Sequence, residues 1–306
     1  MQKTILIFML LFAAICCKAQ EKGQVQFDSL ADAEIQLEGL SQTFVNDKNE
    51  NVRLTTTYFF VKTLIRAIKI DHSYFYPFDS LKSISIQKPE DDKFRIFSWH
   101  LRLDNGSYRQ YGVLQFNPEY IKTIKKKKKD AVFPAYIPLI DRSDSLLTKN
   151  AGTAMVTNEQ WFGALYYNIT TVKYKKQTYY ILLGLDKADS TCNRKVADVL
   201  NIDKKGKITL GAPIFKVLKD DVVKTRFILS YADDANIILR YTEASPGDFM
   251  IVFDNLIPSP KPIKGKNNLI PDGSFDGLKW EKGMWQHKEI GDVDGIKTKG
   301  NQGKTK

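Results

Sequence analysis

The sequence predicts an α+β chain, with an N-terminal helical hairpin followed by a mainly antiparallel β domain built as a sandwich, a barrel or a short propeller-like sheet array. Three observations predict it. Apolar residues recur at spacings of three and four between residues 27 and 69. From about residue 80, short runs of β-branched and aromatic residues take over, bounded by Gly, Pro, Asn and Asp. After that point strands do not alternate with long helices, which argues against βαβ units.

The chain starts with a segment that should not belong to the fold. In MQKTILIFMLLFAAICCKAQ, Lys3 supplies a positive n-region and Thr4 to Ile15 an apolar h-region. Cys17-Lys18-Ala19 then places small residues at −3 and −1, so residues 1–19 read as a signal peptide cut before Gln20. Lys18 ends the apolar run short of the ~20 residues a membrane-spanning helix needs. No transmembrane segment is expected after cleavage. The protein is expected to be exported, to the periplasm or outside the cell. Acylation at Cys16 or Cys17 is the alternative, and it would anchor the protein to the membrane.

Residues 20–79 form the helical segment. Leu30, Ala33, Leu37, Leu40 and Phe44 share one helical stripe, with Asp28 or Ser29 as N-cap. The polar run Asn46 to Asn51 interrupts it, and Tyr58, Val61, Leu64, Ile65 and Ile68 resume it. A short link between two amphipathic helices makes an antiparallel hairpin that must bury its stripe on the β domain.

Residues 80–287 form that β domain. Ser83 to Gln87 is its first strand. Lys93 to Leu103 and Ser107 to Phe116 flank Asp104-Asn105-Gly106, a strong hairpin signal. Both faces of Phe94 to Trp99 are fairly apolar, which predicts a central strand. An exposed helix or loop carrying a lysine run comes next, then a strand near Val132 to Ile140. Trp161 to Lys173 and Gln177 to Leu185 pair through a turn near Lys175-Lys176. Lys207 to Phe215, Arg226 to Tyr231, Ile237 to Thr242 and Phe249 to Phe253 continue the series, with a turn at Pro246-Gly247. Residues 258–276 read as a turn-rich extension. Leu278 to Glu281 and Met284 to His287 make a last hairpin over Lys282-Gly283. Residues 288–306 lack apolar periodicity and are expected to be a disordered lysine-rich tail.

Charge and cysteines narrow the function classes. Removing residues 1–19 takes two lysines and no acid, so the net charge falls from +11 to +9. Residues 118–130 and 261–306 each carry +4, so the rest of the chain is near neutral. That distribution, without a nucleic-acid fold motif, argues against a basic face built for nucleic acid. It leaves two solvated segments, or adhesion to an anionic surface. Only Cys192 survives processing, so no intramolecular disulfide forms. With 43% hydrophobic residues, the core itself must hold the fold.

No catalytic or cofactor motif stands out, and no cofactor is expected. His72, His100 and His287 lie far apart and in no metal spacing. There is no nucleophile elbow and no phosphate loop. Asp71-His72-Ser73 is not a triad, because triad partners meet in space. Asp272-Gly273-Ser274-Phe275-Asp276-Gly277 has too few oxygen ligands for calcium and reads as a double turn into the terminal hairpin. The softest positive lead is aromatic. Trp99, Trp161, Tyr166 and Tyr180 fall in predicted strands, beside Tyr167 and Tyr179. Exposed on a β face they would bind a glycan or a peptide; paired across strands they would only stabilise sheets.

The strings FRIFSW (94–99), YYILLGLD (179–186), GAPIF (211–215), IVFDNLIP (251–258) and PDGSFDGLKWEKGMW (271–285) together resemble a group of secreted proteins of unknown function from Bacteroidetes-type bacteria. The resemblance implies an exported single-domain protein and transfers no catalytic residue. It also implies O-glycosylation at Asp-Ser/Thr sites such as Asp79-Ser80-Leu81 and Asp144-Ser145-Leu146. The expectation is a non-enzymatic binding or scaffold protein. The alternatives are a hydrolase with a dispersed acid and aromatic site, or a basic membrane-surface protein.

Overall fold

The structure, a computed structural model, describes residues 29–127, 133–147, 149–217, 222–245 and 248–291. The expected signal peptide with Cys16 and Cys17, the expected cap at Asp28, the expected turn at Pro246-Gly247, part of the lysine run and residues 292–306 lie outside the described residues. The chain is mostly β, with N-terminal helices followed by antiparallel sheets.

Helix α1 covers 29–46 and helix α2 covers Glu50–Ile68. The Asn49 side chain caps α2 by accepting from the backbone N–H groups of Asn51 and Val52. On α1, Leu30, Leu37 and Phe44 are buried as the stripe predicts. On α2 the buried face runs through Phe60, Leu64, Ala67 and Ile68, while Tyr58, expected in the stripe, is 57% exposed. It packs edge-on against the equally exposed Phe59.

The first sheet has the order β1-β2-β3-β4, with β1 Ser85–Gln87, β2 Phe94–Arg102, β3 Tyr108–Phe116 and β4 Tyr136–Ile140. Helix α3 (Pro118–Lys127) links β3 to β4, and the short α4 (Ser143–Leu147) comes after β4. The predicted hairpin at Asp104-Asn105-Gly106 closes through Leu103 N–H to the Ser107 carbonyl, 2.9 Å. Arg53, buried on α2, reaches Asp104 at 2.6 Å and the carbonyls of Asp47, Lys48 and Arg102. One guanidinium therefore ties the helical hairpin to the β2–β3 turn.

The second sheet contains β5 Leu165–Tyr174, β6 Gln177–Asp189, β7 Cys192–Ile202, β8 Ile208–Leu210 and β10 Phe227–Tyr231. Its order is β10-β7-β6-β5, with β8 also on β7. The third sheet contains β9 Phe215–Lys216, β11 Leu239–Ser245, β12 Asp248–Pro258, β13 Leu269–Glu281 and β14 Met284–Gly291, in the order β11-β12-β13-β14-β9. The β14–β9 pair is parallel. None of these sheets closes, so the barrel option is set aside.

Three cores join the layers. Phe97, Trp99, Leu101 and Val113 of the first sheet meet the helices in one. The opposite side chains of the same strands, Phe94, Ile96, Leu114 and Phe116, meet Tyr180, Leu182, Val196 and Leu200 of the second sheet in another. The far face of that second sheet, with Ile181, Leu183, Ala197 and Val199, meets Leu239, Ile251, Phe253, Leu278 and Trp285 of the third. The doubly apolar pattern of β2 thus has a physical cause: this strand is buried on both faces.

Four sequence expectations need correction. The strand β7 is absent from the predicted series, because CNRKVADVL opens on Asn193, Arg194 and Lys195 and then sets Asp198 within an apolar run that does not alternate. The segment 207–215 is not one strand; it splits into β8 and β9, which belong to different sheets. The turn-rich reading of 258–276 gives way to β13, which begins at Leu269. The tail boundary at 288 moves, since β14 continues to Gly291.

Candidate functional site

The four aromatic candidates are placed inside the protein. Trp99 is 2% exposed, stacks on Tyr111 and meets Phe60 edge-on. Trp161 and Tyr166 are fully buried, and the indole N–H donates to the Tyr166 hydroxyl at 2.7 Å. Tyr180 is 2% exposed and donates to Asp91 at 2.9 Å. Burial, then the Asp91 charge, raises its phenol above the usual range. These rings fill cores and do not form an exposed aromatic face.

The backbone of Tyr166 joins two sheets, donating its N–H to Ser98 and accepting at its carbonyl from Ser85. Cys192 is 7% exposed, and burial pushes its thiol up, the reverse of what an activated nucleophile needs. His72 and His100 stand apart from His287. Among the described residues no group of three or more His, Cys, Asp or Glu is arranged to hold a metal ion.

A different set of residues converges on a cleft. The register of the last hairpin dictates it. The turn at Lys282-Gly283 pairs Glu281 with Met284, and counting back sets Leu278 opposite His287 and Asp276 opposite Glu289. β12 extends both rows, with Ile251 beside Leu278 and Phe253 beside Asp276. Side chains alternate along a strand, so 285, 287 and 289 share one face with 276, 278, 251 and 253. Trp285, Leu278 and Ile251 on that face are core. One step further along, the polar His287, Asp276 and Glu289 replace them, and the core opens into a cavity of about 760 Å³. Phe227 and Leu229 of β10, an outer strand of the second sheet, form the opposing wall.

Asp276 and His287 are in contact at 2.8 Å between Nε2 and Oδ2, with side chains 14% and 11% exposed. The other imidazole nitrogen, Nδ1, is buried and has no hydrogen-bond partner. A bulge supplies the remaining polar groups. Between its pairings at Pro271 and Phe275, β13 carries Asp272-Gly273-Ser274 opposite the single Asn255 of β12. Gly273 adopts φ 89° there, a conformation side chains rarely take. The Ser274 N–H and hydroxyl both donate to Asp272 at 2.8 Å, and these bonds hold its carboxyl below the usual range. Asn255 donates to the Ser274 hydroxyl oxygen at 3.1 Å. Asp254, raised by burial, receives the Ile238 N–H nearby.

Sequence reasoning treats His287 and Asp272 to Gly277 separately and assigns neither to a site. The signal that joins them is the last hairpin, once its register is carried back eleven residues from His287 to Asp276.

No family model matches the chain, and no curated protein matches it. A solved structure titled "Cryo-EM structure of Morganella morganii TcdA4" aligns at 10% identity and a TM-score of 0.23. The alignment covers 83% of this chain and 9% of that one. A likeness at that score carries no argument about fold or function. Among the described residues no helix is long and apolar enough to cross a membrane.

Proposed function

We propose that this chain is an exported, non-enzymatic binding protein of the periplasm or cell surface, and that its ligand sits in the cleft between β10 and β12–β14. The observation that carries the reading is the cleft itself, a cavity of about 760 Å³ where apolar walls meet a few convergent polar groups. The shared cores on both faces of the second sheet support reading the β body as a layered sandwich in place of a propeller-like array. Export rests on the composition of residues 1–19 and on the resemblance to secreted proteins.

The hydrolase reading draws on the His287–Asp276 pair, which has the geometry of a base and its orienting acid. The hydroxyl lining the cleft argues against it, because Ser274 directs its proton to Asp272 and not to the imidazole. In the membrane-surface reading, α3 would present its lysines outward while Tyr120, Ile121 and Ile124 stay packed on the core.

The test follows the His287 ring protons by NMR during a screen of small ligands, beside turnover assays on ester, peptide and glycoside substrates. Ligand-dependent shifts at His287 without turnover are expected. Turnover that disappears in His287→Ala would establish the hydrolase instead. The mass of the exported chain reports the cut, with an N-terminus at Gln20 expected and an acylated Cys16 or Cys17 standing against it.

A further inference from the structure

We propose that the cleft takes an organic cation: a primary ammonium or guanidinium group carried on an apolar body. The inference rests on the cleft being a binding site and adds what it would select.

The first argument is charge. Asp272, Asp276 and Glu289 line the cavity, and none of the described lining residues is Lys or Arg. The lining is therefore acidic although the chain as a whole carries +11. Asp276 has His287 as its partner. Asp272 and Glu289 have no ion-pair partner among the described residues. The Ser274 bonds favour the ionised form of Asp272.

The second argument is independent of charge and concerns hydrogen-bond polarity. In the neutral imidazole, the proton facing Asp276 sits on Nε2, which leaves Nδ1 as a bare acceptor. That atom is buried and unpartnered. The Ser274 hydroxyl spends its proton on Asp272, so only lone pairs remain on it. The Asn255 amide turns an N–H to Ser274, which leaves its carbonyl oxygen to accept. The capacity that remains open to the cleft is therefore dominated by acceptors: carboxylate oxygens, one hydroxyl and one carboxamide oxygen. A ligand that satisfies them must bring donors, and an ammonium brings three with no acceptor. A carboxylate or phosphate would bring the reverse.

The third argument is shape. Behind the polar row, Phe227 and Phe253 stand with ring centroids 4.9 Å apart, beside Leu229. An alkyl or aromatic body fits against them while the cationic head stays at the carboxylates.

The experiment titrates the full chain with n-octylammonium, n-octanoate and n-octanol, each below its aggregation limit, by calorimetry and by the His287 ring-proton shifts. Octylammonium is expected to bind and to move those resonances. Its affinity should fall about tenfold in the Asp272→Asn/Glu289→Gln double variant, whose substituted side chains lie outside the cores. Asp79→Asn, at a separate surface cavity, should leave the affinity unchanged. Octanoate binding as tightly as octylammonium, or an unchanged affinity in the double variant, would overturn the cation inference while leaving the cleft as a binding site. If none of the three probes moves His287, the cation inference and the binding reading both fall.

Discussion

Two titratable residues, Asp186 buried and His100 half-buried, pull the stability of this protein in opposite directions with pH. Asp186 on β6 is 2% exposed. Burial pushes its carboxyl up to about 6, against the lowering effect of Arg194 at 3.0 Å, and Asp141 and Asp144 add to the rise. A raised carboxyl binds its proton more readily in the folded chain. Its contribution therefore grows as pH falls from about 6 toward the ordinary carboxylate value near 4. Asp141, raised by its own burial, acts in the same sense. His100 on β2 does the opposite. Burial, aided by Lys187, pushes its imidazole down to about 4. The unfolded chain takes a proton near pH 6.5 while the folded one resists, so stability present above that pH is lost as pH falls toward 4. The wild type should show a shallow pH dependence between about pH 7 and 4.5, because the two effects offset. Asp186→Asn should unmask acid destabilisation, and His100→Asn acid stabilisation, each on the order of 2 kcal/mol across the window. Urea midpoints at about pH 7 and about pH 5 measure this; parallel pH dependences in the two variants would refute it.

At the scale of elements, two glycines of almost equal φ separate conformational cost from steric cost. Gly273 in the β13 bulge has φ 89°, and an added Cβ would meet no heavy atom within 4 Å. Gly211, after β8, has φ 88°, and its Cβ would lie 2.8 Å from the Ala154 carbonyl oxygen. Gly273→Ala should cost about 1 kcal/mol, from backbone strain alone. Gly211→Ala should cost clearly more, because a backbone atom cannot move aside; equal thermal shifts would contradict this account. β7 is locked to the segment entering β10 by a fully buried ion pair, Asp198 with Arg226 at 2.9 Å. The guanidinium also donates to the Ala151 carbonyl and lies over Phe162. Asp198→Ala strands that charge and should cost about 3–5 kcal/mol, with much of the loss recovered by a second change, Arg226→Met, read from chemical denaturation midpoints. These elements also show how much of the fold is legible in the sequence. The hairpins at Asn105-Gly106 and Lys282-Gly283 announce themselves through turn chemistry, the one at Lys175-Lys176 through the two strand-like runs that flank it, and α1 and α2 through a stripe of spacing three and four. β7 and the first half of β13 do not. One is buried on both faces and loses the period-2 alternation; the other hides a strand behind Pro271 and Asp272-Gly273. The cleft is hidden for a related reason: its residues are brought together by strand register, which a local pattern does not contain.

At the scale of the whole molecule, each inner sheet belongs to two cores at once, and this predicts how the protein unfolds. β2 sends Phe94 and Ile96 into the core shared with the second sheet, and Phe97 and Trp99 into the core shared with the helices. β6 sends Leu182 one way and Ile181 the other, and both are fully buried. Loosening any layer strips one face from a strand whose other face still needs its partner. The helical hairpin is therefore not expected to melt as a separate domain. Phe60→Ala empties volume in the helix-side core, where Phe60 meets Phe44 and Trp99 edge-on at 5.2 and 5.1 Å. It should cost about 3–5 kcal/mol, and Leu182→Ala, in the middle of the stack, about 2–5 kcal/mol. In both variants, tryptophan fluorescence and far-ultraviolet circular dichroism should move together through a single transition of unchanged denaturant slope. Trp99 reports the helix-side core and Trp285 the far one, so the fluorescence samples both ends of the stack. A Phe60→Ala transition that splits, with helical signal lost before the fluorescence of the far core, would show that the layers fold independently and that the shared strands do not couple them.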